Sequence, residues 1–208
     1  EERANEAKRW RAAAREALAG DTGATELVDL ISEGSKLGLA FDELQQLATL
    51  LDANEFGEQA QRALDELSTV EVLETLAKQA DDRVAEGSGG AKELSKALRG
   101  KARVARGLAA RIGPTLKKRP SLRDAASLLL EVEAALVDVP GLSRLRDAVA
   151  QARTWQEGPR RVLAKSTRNA ASRPSLLEVE EMLRAGLELP IAMPECAHID
   201  AHVREAKD

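Results

Sequence analysis

Cys196, His198 and His202 fall within seven residues of one another, with Glu195 and Asp200 among them. His198 and His202 are four apart, one helical turn, a spacing that can bind zinc. A structural zinc site takes four ligands of matched geometry, and no CxxC partner accompanies this set. A Cys/His nucleophile pair would need a third group to orient the histidine, and none is apparent. Cys196 therefore reads first as a small buried hydrophobe. The stretch EGSGGAKELSK from Glu86 lacks the spacing that precedes a GK[ST] phosphate loop, and no strand leads into it. It reads as a flexible link between helices. Asp81-Asp82 and Glu180-Glu181 are consecutive, so on a helix they point apart and cannot act on one substrate atom. No catalytic, metal or cofactor site is expected.

A different chemistry is open to the segment from Leu94 to Arg123. It contains no acidic residue and ten cations, among them Arg99, Lys101, Arg103, Arg106, Arg111, Lys117, Lys118 and Arg119. Arg99, Arg103 and Arg106 share one helical face. Such a face could contact phosphates of DNA or RNA through counterion release, without reading sequence. Single-strand recognition is disfavoured because no aromatic lies nearby for base stacking. The bland alternative is a solvated face whose charges pair with acidic neighbours in space.

These candidates must be placed by helices. Aromatics make up 2% of the 208 residues and charged residues 32%. This composition suits long helices packed along narrow seams, and no alternating β-branched run marks a strand. With 31 Lys+Arg against 35 Asp+Glu, the surface is mildly acidic and mixed in sign. One cysteine excludes an internal disulfide, and no run of 18 apolar residues marks a membrane span. The opening EERANEAKRWRAAAREAL reads as mid-helix, so the chain reads as a piece of something longer.

The tetrapeptide RPSL occurs at Arg119 and again at Arg173. Sliding the sequence by 54 residues places Leu128-Leu129 on Met182-Leu183, Val139-Pro140 on Met193-Pro194, Leu145 on Ile199 and Val149 on Val203. Cys196 then falls on Leu142. Matched apolar, proline and serine positions over such a length mark an internal repeat. Ser121 and Ser175 are expected N-caps, and Ser175 with Glu178 a capping box. Ser68 with Glu71 reads as another box, and a further unit starts near Thr25. In each complete unit a first helix, a turn and a longer second helix follow. Leu142, Leu145, Val149 and Ala152 form the second helix's buried stripe. Pro159 should kink that helix near Gly158.

Ala7-x-x-Trp10, Ala53-x-x-Phe56 and Ala152-x-x-Trp155 place three of the four aromatics in one recurring slot. They read as packing anchors between units. The expected fold is all-α: an elongated array of antiparallel helical hairpins, bundle- or solenoid-like, in units of about 45–55 residues. The units run 1–24 (the tail of a preceding one), 25–67, 68–119, 120–173 and 174–208. The third lacks the aromatic and holds the glycine-rich link.

The phrase of Ser-Leu, a leucine stripe, a proline turn, L-x-x-L-R-x-A-V-x-x-A-x-x-W and a basic helix resembles the PLU-type helical domain. That domain occurs in JARID-group JmjC histone lysine demethylases and related PHD-finger proteins. The resemblance is clearest over Pro120–Leu163 and Pro174–Asp208, and weaker over Trp10–Leu67. It implies a nuclear, chromatin-associated, non-catalytic scaffold that spaces catalytic and histone-reading domains. The partners it implies are those neighbouring domains and chromatin proteins. The iron(II) and 2-oxoglutarate chemistry of such an enzyme would belong to a separate β-barrel. Two other readings stand beside it: a nucleic-acid-binding module using the basic segment, and a general spectrin-like cytoplasmic scaffold.

Overall fold

The computed structural model describes residues 2–20, 22–38, 42–85, 90–166 and 175–207, with backbone alone for 160–166. Helices account for nearly all of them: α1 (Glu2–Ala19), α2 (Ala24–Lys36), α3 (Asp42–Asp65), α4 (Val70–Ala85), α5 (Ala91–Lys117), α6 (Leu122–Ala134), α7 (Leu142–Ser166), α8 (Leu176–Glu188) and α9 (Glu195–Glu205). The all-α expectation holds. Residues 86–89 of the glycine-rich link, and Arg173-Pro174 of the second RPSL, lie outside the described residues. No described helix is long and apolar enough to cross a membrane.

The chain divides into two compact units. The first comprises 1–65 and 76–98, the second 66–75 and 99–208. In the first, α1, α2 and α3 close around Trp10, Ala14, Ala17, Leu27 and Leu47, flanked by Leu30, Ile31, Leu44 and Leu51. Leu27 and Leu47 fall at 3- and 4-residue steps from other apolar positions, so each helix turns one stripe inward. In the second unit, the stripe Leu142, Leu145, Val149 and Ala152 of α7 is buried throughout. Val132 of α6, Val137, Ile191 and Ile199 join it in the interior.

Helix starts follow from side-chain acceptors. Ser121 accepts from the amide of Asp124 at 3.1 Å. Ser175 accepts from Glu178, whose carboxylate takes the Ser175 amide in return at 2.7 Å, completing the capping box. The cap of α2 is Gly23, in extended conformation and without a side-chain acceptor, and the helix begins at Ala24. One expected cap differs, at α4, where the acceptor is Thr69, which takes the Val72 amide at 3.3 Å. Ser68 is instead drawn into a two-residue strand, because its amide donates to the carbonyl of Leu136.

That strand was not expected. β1 (Ser68–Thr69) pairs in parallel with β2 (Val137–Asp138), in register Ser68 to Val137. A second, isolated parallel bridge joins Ser121 to Ala192, with the Ala192 amide donating to the Pro120 carbonyl at 2.9 Å. A capping residue already holds extended φ/ψ, which leaves its backbone edge open to such a pair. Asp138 and Ala192 are 54 residues apart, so the cap of one hairpin meets the inter-helix turn of the next at matching positions. Gly141, at φ 90°, makes one of these turns in a region where side chains are strained. Pro159 lies inside α7 as expected, and Pro114 lies inside α5; both helices continue past their Gly-Pro pair.

Candidate functional site

Trp10 and Trp155 make the same contact. The Trp10 indole N–H donates to the Leu30 carbonyl at 2.7 Å, and the Trp155 indole to the Met182 carbonyl at 2.9 Å. Each acceptor is the carbonyl that an α-helix also offers to the residue four further on. In both cases that residue is a glycine, Gly34 or Gly186, and the Cε2–Cζ2 edge of the ring, next to the N–H, lies against it. A Cβ on Gly34 would sit 2.6 Å from Cε2 of Trp10 and 2.8 Å from Leu44. A Cβ on Gly186 would sit 2.6 Å from Cε2 of Trp155 and 2.7 Å from Sγ of Cys196. Real side chains do not tolerate such distances, so close approach of the indole requires glycine there. Leu44 and Cys196 each follow their glycine by ten residues.

The correspondence extends to a carboxylate. Arg11, next after Trp10, donates from Nε and Nη2 to Oε1 of Glu43 at 3.1 and 2.9 Å, and Arg15 adds a third bond at 3.1 Å. Gln156, next after Trp155, donates to Oε1 of Glu195. Each glutamate follows its glycine by nine residues, and in each Oε2 is buried without a partner. A hydrogen bond from Glu43's own backbone amide, then Arg11 and Arg15, hold its carboxyl below the usual glutamate range against the cost of burial.

Phe56 occupies a related place with different chemistry. It is buried, beside an open polar cleft of about 400 Å³. Arg83 lies over the ring at 4.5 Å from the centroid and pairs with Asp52 at 2.7 Å. Phenylalanine has no N–H to place, so no carbonyl partner is required. The residue eleven after each helix cap is Gly34, Ala80, Val132 or Gly186, all buried. At this position the sequence has glycine where a tryptophan packs on it, at Gly34 and Gly186, alanine in the helix that follows the one carrying Phe56, and valine where the preceding helix α5 brings no aromatic. Sequence reading found the rings and missed their small-residue partners. A fixed eleven-residue step from cap to small residue was the signal. The alanine of the signature is less consistent, since Ala152 is buried and Ala53 exposed.

The basic segment lies mostly on α5. Leu98, Ala102, Ala105, Leu108 and Ile112 face inward, leaving Arg99, Arg103 and Arg106 on the exposed side. Arg106 pairs with Glu74 at 2.9 Å, and Arg111 pairs with Glu131. Lys101 donates to the Glu66 carbonyl at 2.8 Å. Lys117 ends α5, where a cation complements the carbonyl end of the helix, and Lys118 and Arg119 follow it in the turn. The structure brings acidic neighbours to part of this segment, as the bland reading describes.

Cys196 is buried against Trp155 and Gly186, while His198 and His202 are exposed. Burial, and secondarily Glu195, push the Cys196 thiol up, with Arg119 opposing. Among the described residues no group of three or more His, Cys, Asp or Glu side chains is arranged to hold a metal ion.

The described residues thus make an all-helical domain whose recurring side-chain device is an aromatic ring seated on a small residue. The chain belongs to the PLU-1-like protein family, whose model matches residues 1–208, its whole length. No curated protein and no solved structure matches it.

Proposed function

We propose that this chain is a non-catalytic helical scaffold of a nuclear, chromatin-associated protein, built as an array of hairpins that spaces catalytic and histone-reading domains. Membership of the PLU-1-like family supports the chromatin assignment. The observation that carries the scaffold reading is the repeated joint. Trp10 on Gly34 and Trp155 on Gly186 spend the most chemically distinctive side chains on packing. The two cap-to-turn pairings, Thr69 with Asp138 and Ser121 with Ala192, are what a serial array of hairpins would use to fix each step. The test is made in the longer protein that the reading implies. Replacing Trp10 and Trp155 by alanine should leave turnover of a free histone peptide unchanged and lower turnover on nucleosomes. Equal activity of variant and parent on both substrates would overturn the spacer role.

A second reading rests on the exposed cations Arg103, Lys117, Lys118 and Arg119, which would serve as a duplex phosphate contact. Binding that weakens steeply with salt, and disappears on charge reversal at Arg103, Lys117 and Lys118, would support it. No binding to duplex DNA at low salt removes it.

A further inference from the structure

We propose that Ser121 is a phosphorylation site for a basophilic serine/threonine kinase, one whose substrate cleft carries carboxylates. Lys117, Lys118 and Arg119 stand four, three and two residues before it, and Leu122 follows. Of the serines and threonines in this chain, Ser121 alone is preceded by three consecutive cations within that reach. A run of like charge is how such clefts select substrates and reject others. Ser95, with Lys92 three residues before it, is buried. Ser175 shares the RPSL tetrapeptide but lacks the preceding lysines, so the chain holds its own control.

Placement permits access. Residues 118–120 are outside helix, and Lys117, Lys118, Arg119 and Ser121 are exposed. Ser121 itself is already extended, at φ −64° and ψ 155°. Arg119 is held at φ 49°, a left-handed conformation that strains a non-glycine residue. Drawing the segment into an extended cleft relieves that conformation. It sacrifices the Ser121 cap and the bond from the Ala192 amide to the Pro120 carbonyl. Strain relief offsets part of these losses, and opening is confined to a helix end, where local opening is least costly.

In the transfer, the Ser121 Oγ forms a bond to the γ-phosphorus of ATP as the bond from that phosphorus to the β–γ bridging oxygen breaks. The hydroxyl proton passes to the kinase's catalytic aspartate, and ADP leaves. The product carries about −1.5 to −2 charge. It sits beside Asp124, whose carboxylate now accepts from the Ser121 hydroxyl at 2.7 Å. That bond is lost and replaced by repulsion, while Lys118, Arg119 and Arg123 supply counter-charge in sequence. The modification thus bears on the Ser121–Ala192 bridge and lowers the positive charge of the basic segment together.

The experiment incubates the folded 208-residue chain with a purified basophilic kinase and Mg-ATP, followed by intact mass and peptide mapping. One phosphate at Ser121 is expected, with none at Ser175. Ser121→Asp keeps a capping side chain and should abolish incorporation, so loss of signal is separable from loss of fold. Lys118→Ala with Arg119→Ala should slow it about tenfold or more while circular dichroism stays unchanged. Phosphate absent from Ser121, present equally at Ser175, or insensitive to loss of Lys118 and Arg119 would overturn the assignment.

Discussion

The helices around Trp10 and those around Trp155 use one joint under different cover. Trp10 is 5% exposed, and the same cluster holds Leu27 and Leu47 fully buried. Trp155 is half-buried, and α8 beneath it buries Gly186 alone, leaving Leu177 and Leu187 more than half exposed. Donor, acceptor and glycine are nevertheless the same in both. The joint therefore does not depend on how completely the surrounding hairpin is covered. It is a local device: a ring pressed on bare backbone with its one polar atom satisfied, which removes the usual cost of burying an indole N–H. Cover then sets how much each joint contributes to stability.

Removal of the rings tests that division most strongly. Trp10→Ala should cost about 4 kcal/mol, within the range for a buried aromatic, read as a shift of the urea midpoint. Trp155→Ala should cost about 2 kcal/mol, because less surface is withdrawn from water there. Equal losses would show that cover does not distinguish the two. Next come the glycines. Alanine normally gains up to about 1 kcal/mol over glycine inside a helix. At Gly34 the added methyl meets the Trp10 ring, and overpacking of about 1–3 kcal/mol should outweigh that gain. Gly107, with open space around it, is the control and should be stabilised by alanine. Combining Gly34→Ala with Trp10→Phe recreates the phenylalanine and alanine of Phe56 and Ala80. The double variant should lose about 1 kcal/mol less than the sum of the single changes.

Sequence reading reached the rings, the serine caps and the apolar stripes because each is a short-range pattern. Ser121 and Ser175 precede periodic helices, and Leu142, Leu145, Val149 and Ala152 repeat at helical steps. It did not reach Gly34 or Gly186. A glycine within a helix carries no pattern of its own, and its partner ring lies 24 or 31 residues away. Nor did it reach the pairing of Ser68 with Val137, since two-residue strands are too short to show alternation. Ser68 and Thr69 are both competent caps by type, and only the partner strand decides between them. For the basic segment the cations were plain, but Glu74 and Glu131 lie on neighbouring helices, where sequence proximity does not point.

The two RPSL caps give a smaller, internal comparison. Ser121→Ala and Ser175→Ala should each cost about 1 kcal/mol. The two losses should be alike, because each hydroxyl accepts from the amide and donates to the carboxylate of the residue three further on, while the bond from the Ser175 amide to Glu178 survives the change. Hydrogen exchange of the first turns of α6 and α8 would measure the two losses separately.

The smallest expected effect concerns the carboxylate beside each ring. Glu43 is met by the guanidinium groups of Arg11 and Arg15, and Glu195 by the neutral amide of Gln156. Because the folded protein holds the Glu43 carboxyl below its ordinary value, the ionised form is favoured by folding. That contribution is complete above the unfolded glutamate value of about 4.3, and is lost as pH falls through the lower folded one. Glu43→Gln should therefore be less stable than the parent at neutral pH, with the gap closing in acid. Arg11→Gln converts the first joint to the donor found in the second. It should keep one hydrogen bond to Glu43, lose the charge assistance, and shrink the same acid dependence. A stability difference that stays constant from neutral to acid pH would mean that Glu43 acts only by shape, and the two joints would then be chemically alike.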